Sequence, residues 1–126
     1  MRKDPLKTFI EYLPEIPTAE EYKAAFLAIR NVITEKQLEM LRAHFHAPNR
    51  MITATEMAET VGFPSYSAAN LQYGILGRHL CEQLSRRLEF HIAILAAFDE
   101  SNTSEPEIYW VMLPQVVQAL TDLKWV

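Results

Sequence analysis

The sequence predicts a mainly α chain with a small β-hairpin, and a helix-turn-helix-like core. Three observations carry that expectation. Thr18 with Glu21, Thr34 with Gln37 and Thr53 with Glu56 repeat one capping-box pattern, each ahead of apolar residues at helical spacing. Gly62 and Pro64 then place a tight corner between two helical segments. Past Arg87 the helical period gives way to dense Ile-, Phe- and Trp-bearing runs around an acidic, turn-rich stretch.

In chain order, residues 1 to 17 contain three prolines and the run Phe9-Ile10-Glu11-Tyr12-Leu13, and read as an arm packed on a core of residues 18 to 126. Thr18 opens a helix from Ala19 to about Asn31 that carries Tyr22, Ala25, Phe26 and Ile29 at helical spacing. Thr34 opens a second, with Leu38, Leu41, Ala43 and Phe45, stopped by Pro48-Asn49. Thr53 opens a short third helix closed by Gly62, which reaches positive φ without steric cost. After the break Phe63-Pro64-Ser65 comes a long helix from about Tyr66 to Arg86 or Arg87, apolar around much of its circumference and so expected at the centre. Phe90 to Phe98 and Ile108 to Met112 read as two strands joined by the acidic loop Asp99 to Glu107, although a helix through Ala93, Ala96 and Ala97 is the competing reading. Pro114 suits the first turn of a last helix with Val116, Val117, Leu120 and Leu123.

At 126 residues, 49% apolar and 22% charged, the chain fits one domain that folds without metal or disulfide staples. Cys81 is the only cysteine, so an intramolecular disulfide is excluded and a reducing cytoplasm fits best. Lys7, Glu11 and Pro14 interrupt any apolar run of secretory length, and no window approaches a membrane span. A cytoplasmic protein with no membrane partner is therefore expected.

Helix, tight turn, long helix and hairpin follow one another in the order of a winged helix, in which the second helix of the pair meets DNA. On a helical wheel Ser67, Asn70, Gly74, Arg78, Cys81 and Ser85 share one small, polar stripe. Ala68, Leu71 and Ile75 form an apolar face on one side of it, and Ala69, Leu76, Leu80 and Leu84 another. Asn70 and Arg78 can pair bidentately with adenine and guanine, Gly74 allows close approach, and Ser65, Ser67 and the first backbone amides can meet phosphate. The alternatives, in order, are that the stripe serves helix packing or a protein partner, and that it is plain solvated surface.

Charge narrows the choice of surface. The net charge of −4 argues against simple phosphate coating. From Asn31 to Leu88 six basic residues, Arg50 among them, face five acids, whereas from Glu89 onward Lys124 alone opposes six acids. DNA contact is expected from the middle third, with Ser65, Ser67, Asn70, Gly74, Arg78 and Arg50 as candidate residues.

Catalytic chemistry has weaker footing. His44-x-His46 lacks a third ligand at useful spacing, and Cys81 and His79 stand two residues apart, which on a helix points them in different directions. His79 and His91 are isolated, and the acids at helix starts are explained by capping. No phosphate loop or nucleophile elbow occurs. No catalytic residue, metal or cofactor is expected. Tyr109, Trp110 and Trp125 read as core aromatics, with an aromatic surface for a flipped base or a partner as the alternative.

Ile33 to His44, Ile52 to Ala58, the run Ala68-Ala69-Asn70-Leu71-Gln72-Tyr73-Gly74, and the ending Trp110-Val111-Met112 through Trp125-Val126 resemble a bacterial domain found alone or attached to HNH-type restriction endonucleases. The resemblance covers about Ile33 to Val126. It implies a target-recognition or accessory module in bacterial or phage defence; the wider setting expected is defence, counter-defence or regulation. The nuclease half has no counterpart here, since neither a second cysteine nor a clustered His-Asn-His pattern occurs. The leading expectation is a non-enzymatic module whose partner is double-stranded DNA. The alternative is a protein-binding inhibitor or adaptor using the acidic C-terminal third or the Gly74 stripe, the latter also suiting a homodimer.

Overall fold

A computed structural model describes residues 16–99 and 107–126; the expected arm through residue 15 and residues 100–106 of the acidic loop lie outside the described residues. All three capping boxes form. Thr18 Oγ1 accepts from the Glu21 amide at 3.1 Å, and Glu21 returns the bond to the Thr18 amide at 3.0 Å, starting α1 (Ala19–Ile29). Thr34 and Gln37 repeat the exchange at the start of α2 (Glu35–His46), as do Thr53 and Glu56 at the start of α3 (Ala54–Val61). Each box satisfies two backbone donors that the first helical turn leaves unpaired.

Gly62 ends α3 with φ 82°, and the amides of Gly62 and Phe63 both reach the Ala58 carbonyl, at 2.9 and 2.8 Å. Ser65 Oγ then accepts from the Ala68 amide at 3.2 Å and starts α4 (Tyr66–Gln83). This helix stops short of Arg86. Ser85 turns left-handed at φ 55°, and the Arg86 amide closes on the Cys81 carbonyl at 2.9 Å. Pro114 begins α5 (Pro114–Leu123).

Among the described residues three strands form an antiparallel sheet, β1 (Met51–Thr53), β2 (Ala96–Asp99) and β3 (Tyr109–Met112), in the order β1-β3-β2. Trp110 pairs with Ile52 on one side and Phe98 on the other. The expected hairpin is therefore present, and β1 is an addition to it. Three residues running straight into the Thr53 cap are too few to display alternation. The Phe90–Phe98 stretch is only partly strand, because His91–Ile94 forms a 3-10 turn. Two contacts hold that turn: Tyr22 Oη donates to the Ile94 carbonyl at 2.6 Å, and α4 presses on it through Gly77.

One apolar cluster joins α1 (Tyr22, Phe26), α2 (Met40, Leu41), α3 (Met57), α4 (Tyr73, Leu76, Leu80), Leu95 and α5 (Val116, Leu120), all without solvent contact. Within α4 only one face joins it, formed by Ala69, Tyr73, Leu76, Gly77, Leu80 and Cys81. Two sequence expectations are thereby corrected. Leu71 is 61% exposed, so the Ala68, Leu71, Ile75 face is not a second core face, and Cys81, placed on the polar stripe, is buried beside the His91–Ile94 turn and α1. A wheel read alone cannot tell which flank of a broad apolar arc meets the rest of the chain. Trp110 is buried and Trp125 sets its edge against Phe26 at 5.5 Å, so both tryptophans contribute to the core.

Candidate nucleic-acid interface

The corner between α3 and α4 sets the first turn of α4 at the surface, with the β2–β3 hairpin beside it. Ser65, Ser67, Asn70 and Arg78 are all exposed, and Gly74 is half-buried with open space where a Cβ would stand. Ser67, Asn70, Gly74 and Arg78 share one edge of α4, and Ser65 is the N-cap that precedes it. Ser65 already spends an acceptor lone pair on its cap. Arg78 faces Glu82 at 3.8 Å, an exposed pair of small energetic consequence.

Arg50 stands elsewhere. Its guanidinium donates to the Phe45 carbonyl at 2.6 Å and lies over the Phe45 ring at 4.2 Å, closing the end of α2. That interaction also holds a residue at φ 59°, next to Asn49 at φ 56°. Its side chain is committed to the fold.

Between α4 and the hairpin runs a groove of about 680 Å³, lined by Ala54, Tyr66, Asn70, Phe90, Ile92, Phe98, Glu107, Ile108 and Trp110. Four of its apolar side chains are conspicuously wet: Tyr66 (59% exposed), Phe90 (70%), Phe98 (43%) and Ile108 (43%). Sequence reasoning passed over them because an exposed aromatic and a core aromatic have the same local pattern. Thr55 Oγ1 donates to the Glu107 carboxylate, tying the start of α3 to the entry of β3 and fixing the carboxylate at the groove wall.

Toward the other end of α4 a shallower concavity of about 510 Å³ gathers Arg78, Arg86, Arg87 and His91, with Glu82 and Glu89 also present. Gly77 separates the two openings. A Cβ there would stand 2.3 Å from the His91 carbonyl oxygen, so it is here, and not at Gly74, that a glycine permits close packing.

Of the other residues weighed for chemistry, His44 and Cys81 are buried. His44 is fully buried, with Nε2 at 2.9 Å from the Trp110 carbonyl and Nδ1 at 2.7 Å from Tyr73 Oη. A carbonyl only accepts, so Nε2 carries the proton and Nδ1 receives the tyrosine hydroxyl. Both ring nitrogens are occupied, while His46 is exposed, so the two histidines do not converge on one ion. Burial lowers the His44 pKa to about 4 and raises the Cys81 thiol to about 11. Among the described residues no cluster of three or more His, Cys, Asp or Glu is arranged to hold a metal ion, and no helix is long and apolar enough to cross a membrane.

Comparison of the sequence with protein families and with curated proteins, and of the chain with solved structures, finds no match. The fold, this surface and the sequence resemblance are therefore the grounds for a functional reading.

Proposed function

We propose that this chain is a DNA-binding, winged-helix-like module that presents the N-terminal half of α4 and the β2–β3 hairpin to a duplex. The observation that carries the reading is architectural. Helices α2, α3 and α4 combine with a β1-β3-β2 sheet so that Ser67, Asn70, Gly74 and Arg78 lie open on the second helix of a tight pair, beside a hairpin. Arg78 and Arg87, both exposed, supply the nearby cations for phosphate. The resemblance to a domain that accompanies HNH-type endonucleases supports a target-recognition role in bacterial defence, counter-defence or regulation, in the cytoplasm.

Fluorescence anisotropy of a labelled duplex, titrated between about 50 and 200 mM salt, tests this reading. Wild type is expected to bind at the lower salt and weaken as salt rises, and Arg78→Glu to bind at least tenfold more weakly with an unchanged thermal midpoint. Absence of binding by wild type at the lower salt refutes it.

The apolar rim favours a second reading, in which the groove takes a hydrophobic segment of a protein partner. Such binding would be nearly insensitive to salt, and the titration separates the two.

A further inference from the structure

We propose that the groove between α4 and the hairpin is a pocket for a single unstacked nucleobase, and specifically for one bearing an exocyclic amino group. This deepens the DNA-binding reading and rests on it. Three features of the groove lead to it.

The first is the kind of surface it offers. A helix that reads paired bases from a groove edge needs polar side chains, and Asn70 and Arg78 meet that need without help from Tyr66, Phe90, Phe98 or Ile108. Four wet apolar side chains around one concavity suit a flat, apolar group entering between them. Aromatic faces stack on any base, because every base has a π-face, and an unpaired base is the part of a nucleic acid that is flat, apolar on both faces and free to leave the helix.

The second is the pair of polar groups inside the same wall. Asn70 offers a carbonyl and an amide, and Glu107 offers a carboxylate held in place by Thr55. A carboxylate accepts hydrogen bonds only. It matches the amino group of cytosine or adenine and opposes the carbonyl that thymine carries at the equivalent edge.

The third is size and placement. At about 680 Å³ the groove is larger than one base and has room for it together with its sugar, and the opening lies on the edge of α4 that the DNA-binding reading turns toward the duplex. Asn70 and Arg78 are eight residues apart on one helix, about 12 Å. That separation lets the arginine end hold neighbouring phosphates while a base occupies the aromatic end.

Binding is to be measured for short duplexes that differ at one central position: fully paired, with one extrahelical cytosine, with one extrahelical thymine, and with an abasic bulge of the same backbone. Extrahelical cytosine is expected to bind roughly tenfold more tightly than the abasic bulge, and more tightly than extrahelical thymine. Tyr66→Ala and Phe98→Ala, both at exposed positions, are expected to bring the cytosine-to-abasic ratio close to one. Glu107→Gln is expected to narrow the gap between cytosine and thymine. Equal affinity for the cytosine and abasic bulges in wild type overturns the pocket while leaving DNA binding intact, as does a Tyr66→Ala variant that weakens every duplex by the same factor. Failure of the folded protein to bind any of the four refutes DNA binding itself, and the pocket with it, and hands the groove to a protein partner.

Discussion

Acidification should destabilise this protein through His44 as pH falls from 6.5 toward 4. The imidazole is enclosed by α2, α4 and β3, donates from Nε2 to the Trp110 carbonyl and accepts at Nδ1 from Tyr73. Adding a proton at Nδ1 forces the Tyr73 hydroxyl to turn and accept, leaves that hydroxyl's own hydrogen unpaired, and buries a charge with no carboxylate beside it. The desolvation this entails, partly offset by the bond to Trp110, lowers the pKa from 6.5 to about 4. A histidine whose folded pKa lies below its unfolded value contributes stability that is complete above pH 6.5 and is lost as pH falls toward 4, because there the unfolded chain takes up the proton and the folded chain does not. At roughly 1.4 kcal/mol per pH unit, that interval amounts to roughly 3 kcal/mol. Small domains have only about 5–15 kcal/mol in total, so the loss is large.

Urea unfolding followed by tryptophan fluorescence, from neutral pH down to about pH 4, measures it directly. His44→Gln supplies the control, since an amide fills similar space and does not titrate. The variant is expected to be less stable at neutral pH by about 1–3 kcal/mol, having exchanged a fitted pair of bonds for a looser one. Below pH 6.5 its stability should fall by roughly 3 kcal/mol less than that of wild type. Parallel pH profiles for the two proteins would refute the assignment of the acid sensitivity to His44.

Other substitutions test the packing and the interface. Gly77→Ala drives a Cβ into the His91 carbonyl and should cost about 1–3 kcal/mol, whereas Gly74→Ala meets nothing and should stabilise α4 by about 0.5–1 kcal/mol; denaturation midpoints of the two variants check both signs. Leu80→Ala empties a fully buried site and should cost about 2–5 kcal/mol, while Leu71→Ala at an exposed site should stay within about 0.5 kcal/mol, and equal costs would mean that α4 is rotated from its observed setting. Arg87→Gln should lower the magnitude of the salt slope of DNA binding by about one without abolishing binding, as loss of one phosphate contact requires.

The helices were legible because their starts are local. A Thr with Glu or Gln three residues on fixes a helix N-terminus whatever surrounds it, and all three such pairs formed as boxes. The end of α4 was not legible, because it depends on Ser85 adopting a left-handed turn that no residue type there demands. Strand β1 was hidden for another reason: Met51, Ile52 and Thr53 become a strand only by pairing with Val111, Trp110 and Tyr109 across the chain. At the candidate site, the exposed positions Ser67, Asn70 and Arg78 followed from spacing, although the same spacing put the buried Cys81 among them. The aromatic counterpart did not, since the exposure of Tyr66, Phe90, Phe98 and Ile108 is settled by which elements fail to cover them.

The groove and the basic concavity have a common origin in the His91–Ile94 turn. This turn crosses α4 near its middle, at Gly77, and covers the helix there. On the N-terminal side of the crossing the same helix edge is left open as the apolar groove, and on the C-terminal side as the arginine-lined one. Ile92 lines the first opening and His91 the second, so consecutive residues of one turn form part of both walls. What holds the turn is α1, through the Tyr22 hydroxyl on the Ile94 carbonyl, deep in the core. Helix α1 lies outside the helix pair and sheet on which the proposed DNA-binding surface rests, and this contact connects it to the turn that borders both openings.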